Sequence, residues 1–398
     1  MGIALTKSLV KEELQRFKAA KEEGNIEDVK AKIMKDMELL NNTTLHIAIT
    51  GDSGSGKSSL VNALREMTDE EKDSAPTGEI EMTKDKQSYK HPKFPQVTLW
   101  DLPGIGTPNF KADEYLKQVN FRQYDFFIIA SGERFTENDV KLACEIKEMK
   151  KKFYYVRTKM DVSISNNKKR KNFSEEKTLQ EIRNYCIQRL RGTGEHSPRV
   201  FLISRWHLNN YEFPLLVKAL EEDLDALKRH VLIMALPTFS KEVIKKKENA
   251  MSDLIWKLSL LSCTVGAIPI PGLSLACDIG ILVSTMRKIF NCFGLDAESL
   301  RRLGERVGKP VDELKSARKK FQGVDTLTKE FVIDYLQKSV AWITVSTVEL
   351  VLDFVPVVGS VVGGGASFVT TYYMLKNFLS DAVEDAQNVL AKVCEKKE

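Results

Sequence analysis

Cysteine and histidine are scarce in this sequence, and their scarcity excludes two kinds of site. The 398 residues contain six cysteines and five histidines. No two cysteines have the CxxC spacing of zinc and redox motifs, and no histidine lies at ligand spacing. We therefore predict neither a zinc site nor a disulfide framework, and a reducing, cytosolic compartment fits best.

A large excess of one charge is also missing. The 60 lysines and arginines are nearly balanced by 55 aspartates and glutamates, which leaves a net charge of +5. Such a chain lacks the basic excess of a dedicated nucleic-acid binder, so no nucleic-acid partner is predicted.

The first apolar cluster is too short for a secretory signal, because Lys11, Glu12 and Glu13 follow it at once.

Uninterrupted apolar runs of membrane-spanning length are lacking too. Residues 258–277 and 354–375 carry no charge, and each is about as long as a membrane span. Proline and glycine interrupt both stretches, which favours a helix, a tight turn and a second helix over one continuous span. Three interpretations of these stretches stay open. The first is the buried core of a helical domain, the second is a pair of hairpins that associate with a membrane, and the least favoured is true membrane spans.

The pattern that is present predicts several domains. With 42% hydrophobic residues, the chain is long enough for more than one core. Strand and helix signals alternate between residues 43 and 230, with strands expected at 45–50, 87–91, 96–102, 126–130, 153–158 and 200–204. We predict an α/β domain there, with a doubly wound, mainly parallel six-stranded sheet. Residues 231–398 should form a helical domain, and the amphipathic helices of residues 1–42 should pack with it.

A phosphate-binding loop organises the α/β domain. Residues 51–58 read GDSGSGKS, the GxxxxGK[ST] motif, between an apolar strand and a helix-forming stretch. Glycines let successive N–H groups turn toward phosphate oxygens, Lys57 would bridge the β- and γ-phosphates, and the Ser58 hydroxyl would ligate Mg²⁺. The predicted phosphate-binding residues are Asp52, Ser53, Gly54, Ser55, Gly56, Lys57, Ser58 and Ser59.

Further motifs follow in the order that a GTP-binding domain needs. Asp101 to Gly104 reads DxxG, so the carboxylate would support Mg²⁺ and the Gly104 N–H would contact the γ-phosphate. In the preceding segment, Thr77 and Thr83 are the hydroxyls that can reach Mg²⁺ and the γ-phosphate. Thr77 is preferred, because Pro76 and Gly78 make its loop able to close on the ligand.

A TKxD motif is predicted to recognise the base of the nucleotide. In Thr158 to Asp161, the carboxylate of Asp161 would accept hydrogen bonds from guanine N1–H and the 2-amino group, and the Lys159 stem would cover the ring. Adenine lacks those donors, so the motif predicts GTP rather than ATP. Ser204 would add backbone contacts, although Ser204-Arg205-Trp206 departs from the usual SAK pattern.

Two features concern turnover and membranes. The glutamine that orients water in small GTPases is missing, since Gly104 is followed by Ile105. Hydrolysis then uses another group or a partner, or is slow.

At the N-terminus, Gly2 and Thr6 match the N-myristoylation pattern, with an unmodified terminus as the alternative.

With these residues in view, the sequence resembles the vertebrate immunity-related GTPases, the interferon-inducible family. The resemblance is carried by GDSGSGKSSLVNALR, APTGEIEMT, TLWDLPGIGTPNF, YDFFII and FYYVRTKMD, and it extends over the whole chain. It implies a Ras-like domain joined to a helical domain, self-assembly through the nucleotide face in the GTP state, and action on membranes of vacuoles that hold intracellular pathogens. Lys57 gives the GKS form of the effector members, and regulatory members of the family are potential partners.

We therefore expect a cytoplasmic, peripherally membrane-associated GTPase that hydrolyses GTP to GDP with Mg²⁺. We also expect two GTP-bound subunits to meet nucleotide to nucleotide, with Glu81 orienting the attacking water and Thr77 sensing the γ-phosphate. The alternative for Glu79 and Glu81 is that they are solvent-exposed charged residues of the switch segment with no role in hydrolysis. At the level of the whole protein, the alternatives are a GTP-switched, non-hydrolysing adaptor and a channel or transporter built from the apolar hairpins.

Overall fold

The computed structural model describes residues 26–78, 85–105, 112–133, 135–192, 198–262, 279–335 and 364–395. The chain divides into two compact units. The sheet unit comprises the described parts of Thr43–Ser240 and Arg301–Pro310. The helical unit comprises the described parts of Met1–Asn42, Lys241–Leu300 and Val311–Glu398.

The sheet unit contains six strands in the order β2-β3-β1-β4-β5-β6. Their bounds are β1 Leu45–Thr50, β2 Gln87–Lys90, β3 Val97–Asp101, β4 Phe126–Ser131, β5 Lys152–Arg157 and β6 Val200–Leu202. All neighbouring pairs are parallel except β2 and β3, which are antiparallel. The predicted six-stranded, mainly parallel sheet is confirmed. Every residue of β4 is buried, as expected for a central strand that is covered on both faces.

The remaining regular elements of this unit are helices. They are α2 Lys57–Leu64, α3 Ala112–Gln118, a short 3₁₀ turn at Phe121–Gln123, α4 Glu137–Glu148, α5 Met160–Asn167, α6 Glu175–Arg191, α7 Phe213–Asp223 and α8 Ala226–Ala235. Phe127 and Tyr155 of the sheet pack in one core with Leu116 of α3, Leu142 of α4 and Leu190 of α6. This packing fixes the helices that begin beside the carboxyl ends of the strands.

The sheet unit extends beyond the boundary predicted at residue 230. Helix α8 contacts β1 and β3, and its Val231, Leu232, Met234 and Ala235 are buried. Residues up to Ser240 therefore belong with the sheet, and so do Arg301–Pro310. The sequence pattern missed both segments, because helical periodicity shows that a face is buried but not which core buries it.

The helical unit is built along its last helix. The helices are α1 Ile26–Asn42, α9 Lys241–Ser262, α10 Ile279–Cys292, α11 Ala297–Val307, α12 Val311–Ala317 and α13 Gly364–Cys394, of which α11 continues into the Arg301–Pro310 segment. Helix α13 contacts α9, α10 and α12, and α1 contacts α9. The buried carboxylate of Asp385 accepts backbone hydrogen bonds from Lys319, Lys320 and Phe321. This bonding satisfies a charge in the interior of the bundle.

The two long apolar stretches are described only in part. Residues 258–262 end α9, and residues 364–375 begin α13, whereas 263–278 and 354–363 lie outside the described residues. Within the described ranges, no helix is long and apolar enough to cross a bilayer. Gly2, Glu79, Glu81 and Thr83, like the predicted helix before Gly24, also lie outside the described residues.

Candidate nucleotide site

The phosphate-binding loop connects β1 to α2 through backbone conformations that favour glycine. Gly51, Gly54 and Gly56 have φ angles of +138°, +73° and +87°. At Gly51 there is no room for a side chain, because an added Cβ would lie 2.0 Å from the Ala130 carbonyl oxygen. The glycines are therefore required by geometry, and they aim the loop at the N-terminus of α2.

Lys57 is the first residue of α2, and its ammonium group lies over the loop. Its side chain is 7% exposed, and Nζ donates hydrogen bonds to the carbonyl oxygens of Gly51 (3.1 Å) and Asp52 (3.0 Å). Both acceptors are backbone carbonyl oxygens of the loop, so these bonds hold the ammonium group against it. The arrangement presents a compact positive charge where phosphate oxygens would bind.

Ser58, the residue after Lys57, contacts Asp101. The Ser58 hydroxyl donates a 2.6 Å hydrogen bond to Oδ2 of Asp101, which ends β3 and is fully buried. A hydroxyl and a carboxylate are hard oxygen donors of the kind that Mg²⁺ prefers. Among the described residues no cluster of three or more His, Cys, Asp or Glu side chains is suited to a metal. The pair therefore fits Mg²⁺ as a partial ligand set that substrate phosphates and water would complete.

The TKxD residues lie at the end of β5, next to the phosphate loop. Thr158 Oγ1 bonds to the carbonyl oxygens of Ser55 (2.6 Å) and Ser131 (3.1 Å), which ties the TKxD motif to the loop. Lys159 has a φ of +55° and is the N-cap residue of α5. The Asp161 carboxylate forms no hydrogen bond with any residue that the structure describes, so its oxygens can accept from guanine.

The residues after Ser204 have a role that the sequence did not indicate. Ser204 is fully buried, and its hydroxyl accepts a hydrogen bond from the Trp206 N–H at 3.3 Å. Arg205 forms an ion pair with Asp69 at 2.6 Å, and its guanidinium lies 3.9 Å from the centre of the Trp206 ring. The arginine that departs from the SAK pattern thus links the end of β6 to the segment that follows α2.

The loop that carries Thr77 is held by α2. The side chain of buried Asn62 accepts from the Ala75 N–H at 2.7 Å and donates to the Ala75 carbonyl at 2.9 Å. Thr77 follows two residues later and is partly exposed. Asn62 was not among the predicted site residues. The signal available was a polar residue within an otherwise apolar stretch of the phosphate-loop helix.

These motif residues converge at the carboxyl ends of β1, β3 and β5, where ligands bind in α/β sheets. The sequence profile of the family described as Interferon-inducible GTPase (IIGP) matches residues 10–393. The chain belongs to this family. The resemblance read from the motifs is confirmed, and the chain is a GTPase.

Known relatives of this interferon-inducible GTPase cover nearly the whole chain. Interferon-inducible GTPase 5 from Bos taurus is 40% identical over 392 residues, which cover 98% of this chain and 84% of that protein. Interferon-gamma-inducible GTPase 10 from Mus musculus is 39% identical over 389 residues, or 97% of this chain and 90% of that protein. A structure of a dimerisation-deficient mutant of Toc33 from Arabidopsis thaliana aligns with 48% of this chain and 82% of its own, at 14% identity and a TM-score of 0.34.

In this interferon-inducible GTPase, Ile105 has a structural role. Its side chain is fully buried in the core beneath the sheet, and its N–H donates to the Gly51 carbonyl at 3.3 Å. Its carbonyl accepts a 2.6 Å hydrogen bond from the side-chain amide of Asn138. Residue 105 therefore fixes the DxxG segment to the phosphate loop and to α4, and its apolar side chain cannot orient water.

Asp139 is a second residue of this GTPase that sequence reasoning missed. It is 1% exposed and forms a capping box with Thr136 at the start of α4, through bonds of 3.0 and 3.2 Å. The pKa of Asp139 is raised to about 7, mainly by burial and also by nearby Asp52, while the hydrogen bonds with Thr136 and the charge of Lys57 oppose the shift. The T-x-x-D spacing at residues 136–139 predicts a helix cap, but not its position behind the phosphate loop.

Proposed function

We propose that this interferon-inducible GTPase hydrolyses GTP to GDP and phosphate with one Mg²⁺ ion, and that a second GTP-bound copy completes its catalytic site on an intracellular membrane. The observation that supports the chemistry best is the contact of Asp101 with Ser58, the residue after Lys57. It brings a hydroxyl, a carboxylate and a phosphate-neutralising charge to one end of the sheet.

Each residue then has a defined task. Ser58 and Asp101 would hold Mg²⁺, and Thr77 would be a further ligand. Lys57 exchanges its two carbonyl acceptors for phosphate oxygens, and the Gly104 N–H donates to the γ-phosphate. When bound, the ion would supply neutralisation of the phosphate charge.

Asp161 supports the choice of guanine. A carboxylate accepts two hydrogen bonds from guanine, whereas adenine would leave it desolvated and unpaired. Lys159, whose Cε lies 4.0 Å from the position that a Gly56 Cβ would take, runs close to the loop and can cover the ring. The site should therefore prefer GTP to ATP by a large factor.

The water-orienting group must come from elsewhere, because Ile105 is committed to the core. We propose that Glu81 provides it when two nucleotide faces meet. Groups supplied in trans accelerate GTP hydrolysis by about 10³ to 10⁵, so a weak dimer would dominate turnover once it is populated. Specific activity should then rise with protein concentration.

Phosphate release from GTP and ATP, measured over a range of protein concentrations, tests this proposal. Glu81→Ala should lower kcat with little change in GTP affinity. Glu176→Ala, an exposed acidic residue on α6, is the matched control and should behave as the unaltered chain. Constant activity per subunit at all concentrations contradicts the dimer. Tight GTP binding with no turnover at any concentration favours a GTP-switched adaptor.

Membrane residence is proposed to begin with an acyl group on Gly2. One myristoyl chain gives a partition of about 10⁴ M⁻¹, so a second signal is required for stable attachment. Assembly in the GTP state, the apolar stretches or a regulatory relative would provide it. Intact mass of protein from vertebrate cells should show the acyl group, and Gly2→Ala should move the protein to the soluble fraction. A free or acetylated terminus contradicts this assignment.

A further inference from the structure

Apart from the nucleotide site, the sheet unit contains a cavity with a volume of about 740 Å³ and several charged residues in its wall. Its walls are the end of the α2 segment at Arg65, residues 71–74, the strand β2 with the turn that follows it, and Arg302. None of the residues predicted to bind GTP or Mg²⁺ lines it. The volume lies within the range of small-molecule sites.

Arg65 places a buried positive charge in the wall of this cavity. It is 4% exposed, and its guanidinium donates to the carbonyl oxygens of Lys90 (3.0 Å) and Asp73 (2.9 Å) and lies 5.2 Å from the centre of the Tyr89 ring. No described carboxylate forms an ion pair with it. Burial accordingly lowers the pKa of Arg65, although it remains charged.

A buried charge is normally paired with an opposite charge, because desolvation is costly. Arg65 has neutral acceptors and an aromatic face instead, at the wall of a cavity. Asp73 and Glu71 act on Arg65 electrostatically without an ion pair. An anion in that cavity would supply a directly bonded opposite charge. The guanidinium is thus positioned as a built anion contact and not as part of an internal ion pair.

Most of the other charged residues in the wall are also cationic. Arg302 is already engaged, with Nε and Nη2 bonded to Glu71 at 2.8 and 2.6 Å. Lys72 and Lys90 are exposed and form no ion pair with a described residue. The anionic residues of this wall are Glu71, which forms ion pairs with Arg301 and Arg302, and Asp73. The wall therefore carries a net positive charge.

We propose that this cavity binds a small anion bearing phosphate groups, separately from GTP. Arginine donates paired N–H groups to phosphate oxygens. Lysine adds a positive charge that attracts phosphate without requiring a fixed donor geometry. Ser74 and Ser88 also line the cavity and offer hydroxyls to a polar ligand. A free phosphorylated metabolite and the headgroup of a phosphorylated lipid share this chemistry, so the experiment separates them.

The test uses the full chain saturated with GDP and Mg²⁺, so that the phosphate loop is filled. Calorimetric titration is performed with soluble inositol trisphosphate, and co-sedimentation with phosphatidylcholine vesicles containing phosphatidylinositol bisphosphate. Both are carried out at about 0.15 M ionic strength, where unspecific attraction between exposed charges is screened. Inositol trisphosphate that binds and releases the protein from vesicles indicates a free ligand or headgroup. Binding to the vesicles alone indicates the lipid.

The location is tested with variants. Lys72→Ala combined with Lys90→Ala removes two exposed charges and should weaken binding by about tenfold or more. Lys218→Ala, exposed on α7, is the matched control and should change nothing. Arg65→Lys, which keeps the charge but not the paired donors, should also lose binding, with circular dichroism and GDP affinity confirming an intact fold. Absence of binding to both probes, or binding that the lysine pair leaves unchanged, overturns the proposal. GTP turnover is measured separately and does not depend on this result.

Discussion

The buried carboxyl group of Asp139 should make the stability of the sheet unit depend on pH. Its pKa is raised from 3.8 to about 7 by burial behind the phosphate loop. A group whose pKa is higher in the folded state favours folding while it is protonated. The stabilisation is complete below pH 3.8 and is lost as the pH rises through 7.

The size of the effect follows from the shift. Each pKa unit corresponds to about 1.4 kcal/mol, so the full difference is about 4 kcal/mol, of which about 3 kcal/mol falls between pH 5 and 8. Asp139→Asn removes the titration and keeps an oxygen that accepts from the Thr136 N–H. The variant should therefore gain stability over the unaltered chain as the pH rises, by up to that amount.

Hydrogen exchange of the β4 amides in nucleotide-free protein, corrected for intrinsic rates at each pH, measures the stability of this unit by itself. Glu137→Gln is the matched control, because Glu137 is exposed in the same helical turn. Its stability difference should not vary with pH. A difference between Asp139→Asn and the unaltered chain that is constant from pH 5 to 8 would refute the reasoning.

Three further substitutions test the nucleotide site. Gly51→Ala should abolish GTP binding and destabilise the unit by about 3 kcal/mol, since a Cβ would collide with Ala130; normal affinity and melting temperature would contradict this. Lys57→Ala should weaken calorimetric GTP binding by about 100-fold or more with unchanged circular dichroism, and retained affinity would remove the phosphate-loop assignment. Asp161→Asn should reduce discrimination between GTP and ATP in competition, because an amide offers one acceptor to two donors. Undiminished discrimination would reassign the base reader.

Local sequence was sufficient for the parts of the site that each strand carries at its own end. The phosphate loop, DxxG and TKxD each follow a buried strand, and strands of a parallel sheet end at the same edge. Their meeting is thus implied by strand type and direction alone. The Ser58–Asp101 contact joins two motifs that were recognised independently, although 43 residues separate them.

Only the tertiary structure decided the contacts that depend on how helices and loops pack. Asp139 approaches Asp52, Asn138 reaches the Ile105 carbonyl, and Arg65 bonds to the Lys90 carbonyl across a separation of 25 residues. Periodicity reports that a position is buried, whereas the partner depends on loop paths and side-chain fit over long sequence separations.

The same reason explains the antiparallel edge strand and the boundary at Ser240. The sequence determined the order of strands and helices and the chemistry at the strand ends, because those follow from residue type and spacing along the chain. The direction of β2, the assignment of Arg301–Pro310 to the sheet unit and the charge left on buried Arg65 were decided by packing. Packing sums many weak contacts between distant residues, and no local pattern records that sum.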